Sequence, residues 1–243
     1  FLFGPAPQVR ITFGGYNLRI MGRVLVTGLT PFLIIAADNI MIIALNAVLQ
    51  RYGGPEQGDL LVAAATISQS FMLVITMPLG GMTSGTAAIL GYNLGAGRPD
   101  RIFQAQRYIL IIGVIYTAVL LVVAQFFCAP FTWIFTPDAQ VSQLAVSAIR
   151  ITTLGIVPMA VQYAIVDGLN GMGMMHYSLP LSFLRKAVYF VPLFLLPGLF
   201  GPMAAFYAEP ISDFIPPVIT AVFYWRKLGW VREQAASHSA IQA

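Results

Sequence analysis

The stretch VLVTGLTPFLIIAADNIMIIALNAVL, residues Val24 to Leu49, decides the fold class of this chain. It is almost wholly apolar, and as a helix rising about 1.5 Å per residue it is long enough to cross a bilayer. Asp38 and Asn39 lie near its middle. A carboxylate at the centre of a membrane helix costs on the order of 2.5 to 3.5 kcal/mol, so it is expected to face protein or water. Asp38 is therefore the first candidate functional residue.

The composition of the whole chain is that of a polytopic membrane protein. Of its 243 residues, 58% are hydrophobic and only 9% are charged, and the mean hydropathy is +0.80. A soluble domain usually carries about 25% charged residues. The basic residues lie between apolar stretches and do not gather on one soluble face, which argues against a nucleic-acid partner and leaves the lipid bilayer as the surroundings. The single cysteine, Cys128, excludes an intrachain disulfide.

Five further apolar stretches follow the first, and short turn-rich connections separate them, the first of which contains Gly53 and Gly54. They are Leu60 to Leu94, Phe103 to Phe127, Val141 to Leu169, Leu179 to Leu199 and Met203 to Trp225. Each is long enough for one crossing. The sequence therefore predicts an all-α membrane protein with six transmembrane helices. Residues 1–22 are expected to form a loop or an interfacial segment, 23–226 the transmembrane part, and 227–243 a tail.

The basic residues predict the orientation of these helices. An even number of spans places both ends on one side of the membrane. All lysines and arginines except Arg51 and Arg150 flank that side, with Arg185 and Lys186 counted among them. The positive-inside rule then makes both ends of the chain cytoplasmic. Asp100 and Asp138 stand where helix N-caps are expected.

The polar residues inside the spans each allow two interpretations. Asp38 is a site for H⁺ or Na⁺, or a structural aspartate bonded to a neighbouring helix. Asn39 and Asn46 either assist it or bond between helices. A further polar set on the second span lines a substrate path or serves helix packing: Thr66, Gln69, Ser70 and Ser84.

Three acidic residues lie later in the chain. Asp167 stands near the end of its span, as a gate, a second ion ligand or a cap. Glu209 and Asp213 are four residues apart and share one helix face. They are expected to form a buried ion pair or gate with either Arg150 or Arg185.

Sequence signatures of enzymes are absent. The chain has no Gly-x-Ser-x-Gly, no His-Glu-x-x-His and no phosphate-binding loop. The sequence therefore predicts no catalytic residue, no metal site and no organic cofactor. An intramembrane aspartyl protease built on Asp38 and Asp167 is the alternative from a different class, and a purely structural helix bundle is another.

The second span ends in a recognisable motif, MPLGGMTSGTAAILGYNLGAGRPDR, residues Met77 to Arg101. It resembles the second helix of the C-terminal lobe of multidrug and toxic compound extrusion (MATE) transporters, which ends in Gly-Tyr-Asn-Tyr-Gly-Ala before a basic loop. The stretches from Gly28 to Gly54, Ala148 to Ile151 and Pro210 to Asp213 are similar to the same lobe. The resemblance extends from about Gly28 to Trp225.

The resemblance implies one half of a twelve-helix transporter, with the N-terminal lobe as its missing partner and residues 1–22 as the segment between lobes. The implied activity is secondary efflux of organic cations or amphipathic drugs across the bacterial inner membrane, by H⁺ or Na⁺ antiport with alternating access. Some members place a cation-binding acid ten positions after the glycine that Gly28 matches, which is Asp38. Their second acidic position falls near Val161 and not on Asp167. A lipid-linked oligosaccharide flippase of the same superfamily is the alternative, and would show more basic residues facing its cavity.

Overall fold

The computed structural model describes residues 17–242, and every regular element in that part of the chain is helical. Short 3-10 segments at Thr153–Gly155 and Pro202–Tyr207 join successive α-helices. The α-helices of this part are α1 (Leu18–Gly95), α2 (Pro99–Phe127), α3 (Ala129–Phe135), α4 (Ala139–Thr152), α5 (Ile156–Gly171), α6 (Met175–Phe200) and α7 (Ala208–Gln242).

Helix α1 is 78 residues long and folds back on itself at Gly54, whose backbone is non-helical with φ at 65°. Only glycine adopts this region at little cost. The two arms, 18–53 and 55–95, pack as a hairpin, because Gln50 Nε2 donates a hydrogen bond of 2.8 Å to Asp59 Oδ1. In an unbroken helix these residues would be separated by about 13 Å along the axis. The turn predicted near Gly54 is therefore a break at a single residue.

The first residues of α2 and α4 show whether Asp100 and Asp138 are N-caps, as predicted. Asp138 is the N-cap of α4, and its carboxylate accepts hydrogen bonds from the amides of Gln140 and Val141, as predicted. The prediction for Asp100 is wrong, because Arg98 occupies the N-cap position of α2 and makes no side-chain cap. Asp100 lies in the first turn instead, where its charge complements the helix dipole.

The predicted all-α fold with six membrane crossings is confirmed. Among residues 17–242, four helical stretches are long and apolar enough to cross a membrane, and the first, Phe32–Gly95, makes two crossings because of its hairpin. Helices α4 and α5 with the turn between them form one crossing, Ala139–Gly171. Helix α7 is assigned as the sixth crossing; it is not among those four stretches, and Glu209 and Asp213 interrupt its apolar character.

The second arm of α1 approaches α5 so closely that only glycine fits at the contact. A Cβ atom at Gly171 would overlap the backbone of Ala87, and one at Gly91 would overlap the carbonyl of Gly171. Small residues commonly permit such close helix contacts in membranes. Gly91 is the glycine of the Gly-Tyr-Asn motif, so part of that motif serves this packing.

Candidate functional site

Two adjacent cavities share the side chains of Asp38, Tyr163 and Arg185. The larger has a volume of about 300 Å³ and lies among both arms of α1, α5, α6 and the start of α7. The smaller, about 130 Å³, lies between the first arm of α1, α5 and α6. The larger volume is at the lower end of the range for small-molecule sites. Asp38, the carboxylate identified first in the sequence, thus stands at the boundary between two internal spaces.

Asp38 forms an ion pair with Lys186, whose Nζ donates a hydrogen bond to Asp38 Oδ1. The Lys186 side chain is 6% exposed, whereas that of Asp38 is 47% exposed. The second carboxylate oxygen of Asp38 accepts no hydrogen bond from the described part of the chain. Both residues lie near the middle of their spans, so this pair holds two charges deep in the membrane region. One carboxylate oxygen remains available to a ligand from the cavity.

A second ion-pair cluster lies beside the first. Arg185 Nε donates to Asp213 Oδ1 at 2.6 Å, and Arg185 Nη2 donates to Glu209 Oε1 at 3.1 Å. The Asp213 side chain is fully buried, and its Oδ2 has no hydrogen-bond partner among residues 17–242. Of the two partners that the sequence left open for these carboxylates, Arg185 is therefore the one that binds them. Arg150 is exposed and forms no ion pair within the same residues.

Asp167 faces the smaller cavity together with Asp38. Thr83 Oγ1 donates a hydrogen bond of 2.5 Å to Asp167 Oδ2. The interpretation of Asp167 as a cap is wrong, because the C-terminal turn of α5 is closed by backbone hydrogen bonds from Met172. Its carboxylate is held by a neighbouring helix and lies on the same internal space as the Asp38 pair.

The polar residues predicted to line a cavity or to assist Asp38 separate into two groups. Gln69 lines the larger cavity. The others line neither of these two cavities: Asn39, Asn46, Thr66, Ser70 and Ser84. Four of them donate to a carbonyl one turn earlier in their own helix, which is how a polar side chain satisfies itself inside a membrane span. The fifth, Asn46, has a buried Oδ1 without a hydrogen-bond partner in the described chain.

Lys186 is the principal residue that sequence reasoning missed. The positive-inside assignment counts Arg185 and Lys186 among the basic residues that flank the spans. This placement is wrong for both, since Lys186 is buried and both side chains form ion pairs with carboxylates. The missed signal was their place within the apolar stretch from Leu179 to Leu199, the same signal that identified Asp38.

The cluster has more acidic than basic groups. Its four carboxylates and two cations sum to a net charge of −2 when all are ionised: Asp38, Asp167, Glu209, Asp213, Arg185 and Lys186. Burying uncompensated charge is costly, so such a cluster attracts protons or other cations. Among the described residues, no group of three or more His, Cys, Asp or Glu side chains has the arrangement of a metal site.

Comparison with protein-family models gives one match, to MatE, over residues 32–195. Several solved structures resemble the chain. The outward-facing conformation of a multidrug resistance MATE family transporter of the MOP superfamily has a TM-score of 0.82 at 18% identity. A MOP superfamily transporter from Pyrococcus furiosus has a TM-score of 0.81 at 19% identity. The MATE transporter VcmN from Vibrio cholerae, in its bent form, has a TM-score of 0.71 at 20% identity. At these identities the matches establish the fold.

The matches cover nearly all of this chain but only part of each solved structure. The alignments include 93%, 92% and 88% of the chain and 51%, 50% and 47% of those three structures respectively. The chain therefore spans about half the length of the solved structures that it matches. No curated protein matches the sequence.

Proposed function

Because the chain belongs to the MatE family of membrane transporters, we propose that it exports organic cations or amphipathic compounds in exchange for H⁺ or Na⁺. The working unit of this proposal contains a second six-helix lobe, since the chain spans half of the structures that it matches. The two lobes alternate access to the two sides of the membrane. The proposed location is the bacterial cytoplasmic membrane, with both ends of this chain on the cytoplasmic side.

The observation that carries this proposal is the position of Asp38. Its side chain is 47% exposed and borders both cavities, although it lies at mid-span, and its Oδ2 accepts no hydrogen bond from the described residues. An ionisable residue at this depth is costly and is usually retained for function. Asp38 also borders both cavities, so an ion bound there and a substrate in the larger cavity would influence each other electrostatically.

Lys186 gives this site a resident cation. In the absence of a ligand its ammonium group neutralises Asp38, which avoids an unpaired carboxylate in the membrane. A proton or Na⁺ that binds the Asp38 carboxylate competes with the Lys186 ammonium and weakens the ion pair between Asp38 and Lys186. An organic cation in the cavity competes for the same negative charge. In this mechanism the coupling ion and the exported cation bind alternately, because both need the negative charge of the Asp38 carboxylate.

The two alternatives are less well supported by the same residues. A flippase for an anionic lipid-linked substrate needs basic groups free to bind it, but Arg185 and Lys186 are both engaged by carboxylates. An aspartyl protease needs two aspartates acting on one water. Asp38 and Asp167 border the same small cavity, yet one is paired with Lys186 and the other accepts from Thr83.

The proposal is tested by transport of tetraphenylphosphonium, a lipophilic organic cation, into everted vesicles that contain the full-length protein. An imposed H⁺ or Na⁺ gradient should accelerate uptake, and the effective gradient identifies the coupling ion. Asp38→Asn should abolish this acceleration. Asn39→Ala is the matched control, because Asn39 is exposed and, within residues 17–242, its side chain bonds only to the Ile35 carbonyl of its own helix. Equal gradient-driven uptake by wild type and Asp38→Asn would refute the role of Asp38.

A further inference from the structure

A surface groove lies apart from the charged cluster. It has a volume of about 680 Å³ between α2, α5 and α7, and its walls are almost entirely apolar. This volume is within the range of ligand sites and more than twice that of the larger charged cavity. The groove therefore has room for a large apolar group.

The groove opens outward. Ile111, Ile115 and Trp225 border it and are between 45% and 76% exposed. Helix α5 separates it from the charged cavities, because Val161 and Ile165 line the groove whereas Asp167 lines the smaller cavity from another face of the same helix. A ligand in the groove would thus be reached from the surrounding bilayer and would be independent of the Asp38 site.

One end of the groove is basic. Arg107 lines it, is exposed, and forms no ion pair with the described residues. Arg226 is also exposed and directly follows Trp225, a groove residue on the facing helix. A guanidinium group binds phosphate through charge-assisted, often bidentate hydrogen bonds. The charge at this end therefore complements an anionic headgroup.

The wall of the groove also holds unsatisfied polar groups. Tyr224 is 6% exposed and its hydroxyl has no hydrogen-bond partner among residues 17–242. Gln106 is 2% exposed, and although its Nε2 donates to the Ala164 carbonyl, its Oε1 accepts nothing in the same range. A buried polar atom without a partner costs about 1 to 3 kcal/mol. Both unpartnered atoms are enclosed, so they add almost no polar surface to the groove.

We propose that this groove binds one anionic phospholipid, with an acyl chain along α2 and α7 and the headgroup phosphate at Arg107. Two features match such a lipid: exposed arginines at one end and a long apolar wall. Detergent or a helix of the second lobe fits the apolar wall but does not need the positive charge at its end.

The proposal is tested by native mass spectrometry of the full-length protein in detergent, with dioleoyl phosphatidylglycerol or dioleoyl phosphatidylcholine added at equal concentration. The wild type should retain one phosphatidylglycerol in preference to phosphatidylcholine. Arg107→Gln should reduce this preference about fivefold, the usual effect of one basic residue on an anionic lipid. Ala221→Phe, which fills the groove, should reduce retention of both lipids.

Arg101→Gln is the matched control, since Arg101 is an exposed arginine on the same helix that does not line the groove. It should keep the wild-type preference. Equal losses in Arg107→Gln and Arg101→Gln would overturn the proposal, because they would indicate a diffuse basic surface. Equal retention of the two lipids by the wild type would also overturn it, as expected if the second lobe covered the groove.

Discussion

Arg185→Met should destabilise the protein strongly, because it removes the cation that contacts the fully buried carboxylate of Asp213 and the partly buried carboxylate of Glu209. Arg185 Nε lies 2.6 Å from Asp213 Oδ1, and its Nη2 lies 3.1 Å from Glu209 Oε1. The Asp213 side chain has no exposed surface, and its Oδ2 has no hydrogen-bond partner in the described chain. Without the guanidinium, the Asp213 carboxylate has no hydrogen-bond partner among residues 17–242.

The size of the effect follows from the burial of this pair. Removing one partner of a buried ion pair costs about 3 to 5 kcal/mol. For a domain of this length each kcal/mol lowers the melting temperature by roughly 2 to 4 °C. The expected decrease is therefore about 6 to 20 °C. It is measured by thermal unfolding of the full-length protein in one detergent, followed by tryptophan fluorescence.

Two further variants separate charge from general damage. Arg150→Met makes the same chemical change at an exposed arginine that forms no ion pair within residues 17–242, and should lie within about 2 °C of the wild type, the usual effect of a surface change. Arg185→Met combined with Asp213→Asn should be more stable than Arg185→Met alone, because the uncompensated charge is removed. A melting temperature for Arg185→Met equal to that of Arg150→Met would refute the reasoning, as would a double variant less stable than the single one.

Two other predictions concern helix packing and the resident cation. Gly171→Ala should lower the thermal stability, because its Cβ would overlap the backbone of Ala87; Gly85→Ala, with no atom within 4 Å of the added Cβ, should not lower it. Equal melting temperatures for these two variants would contradict the close contact. Lys186→Met should tighten tetraphenylphosphonium binding about fivefold or more, the lower end of a typical coupling between two ligands, because Asp38 loses its ammonium partner. Lys186→Arg should keep the wild-type dissociation constant, and unchanged binding in Lys186→Met would show that the ammonium does not compete.

Much of the fold was predictable because the length of an apolar stretch and the turn residues that end it can be read from neighbouring positions in the sequence. The apolar stretches located the crossings, and the glycines near residue 54 located the hairpin of α1. The prediction for Asp100 failed because an N-cap depends on backbone angles that differ between neighbouring positions, and Arg98 occupies the cap. The contact between Gly91 and Gly171 was not predictable from the sequence either, since it depends on which faces of two distant helices meet.

The candidate site was predictable only in part. Asp38 was identified because a carboxylate in the middle of a membrane span is energetically costly, and this cost can be recognised from a single position in the sequence. Its partner was not identified, because Lys186 is 148 residues away and helix packing alone brings them together. Residues such as Thr66 and Ser84 line neither of the two charged cavities, and each donates a hydrogen bond to its own helix. A polar side chain in a membrane helix bonds either across helices or to its own backbone. The sequence does not distinguish these outcomes.

The central claim is that Asp38 is the negative charge for which the coupling ion and the exported cation compete. The direct test is the equilibrium dissociation constant of tetraphenylphosphonium for the purified full-length protein, measured across pH and Na⁺ concentration. If one ion competes at Asp38, the wild-type constant should rise about tenfold for each tenfold increase of that ion once the site is saturated. In Asp38→Asn the constant should not depend on either ion. An Asp38→Asn protein that keeps the wild-type ion dependence would contradict the account.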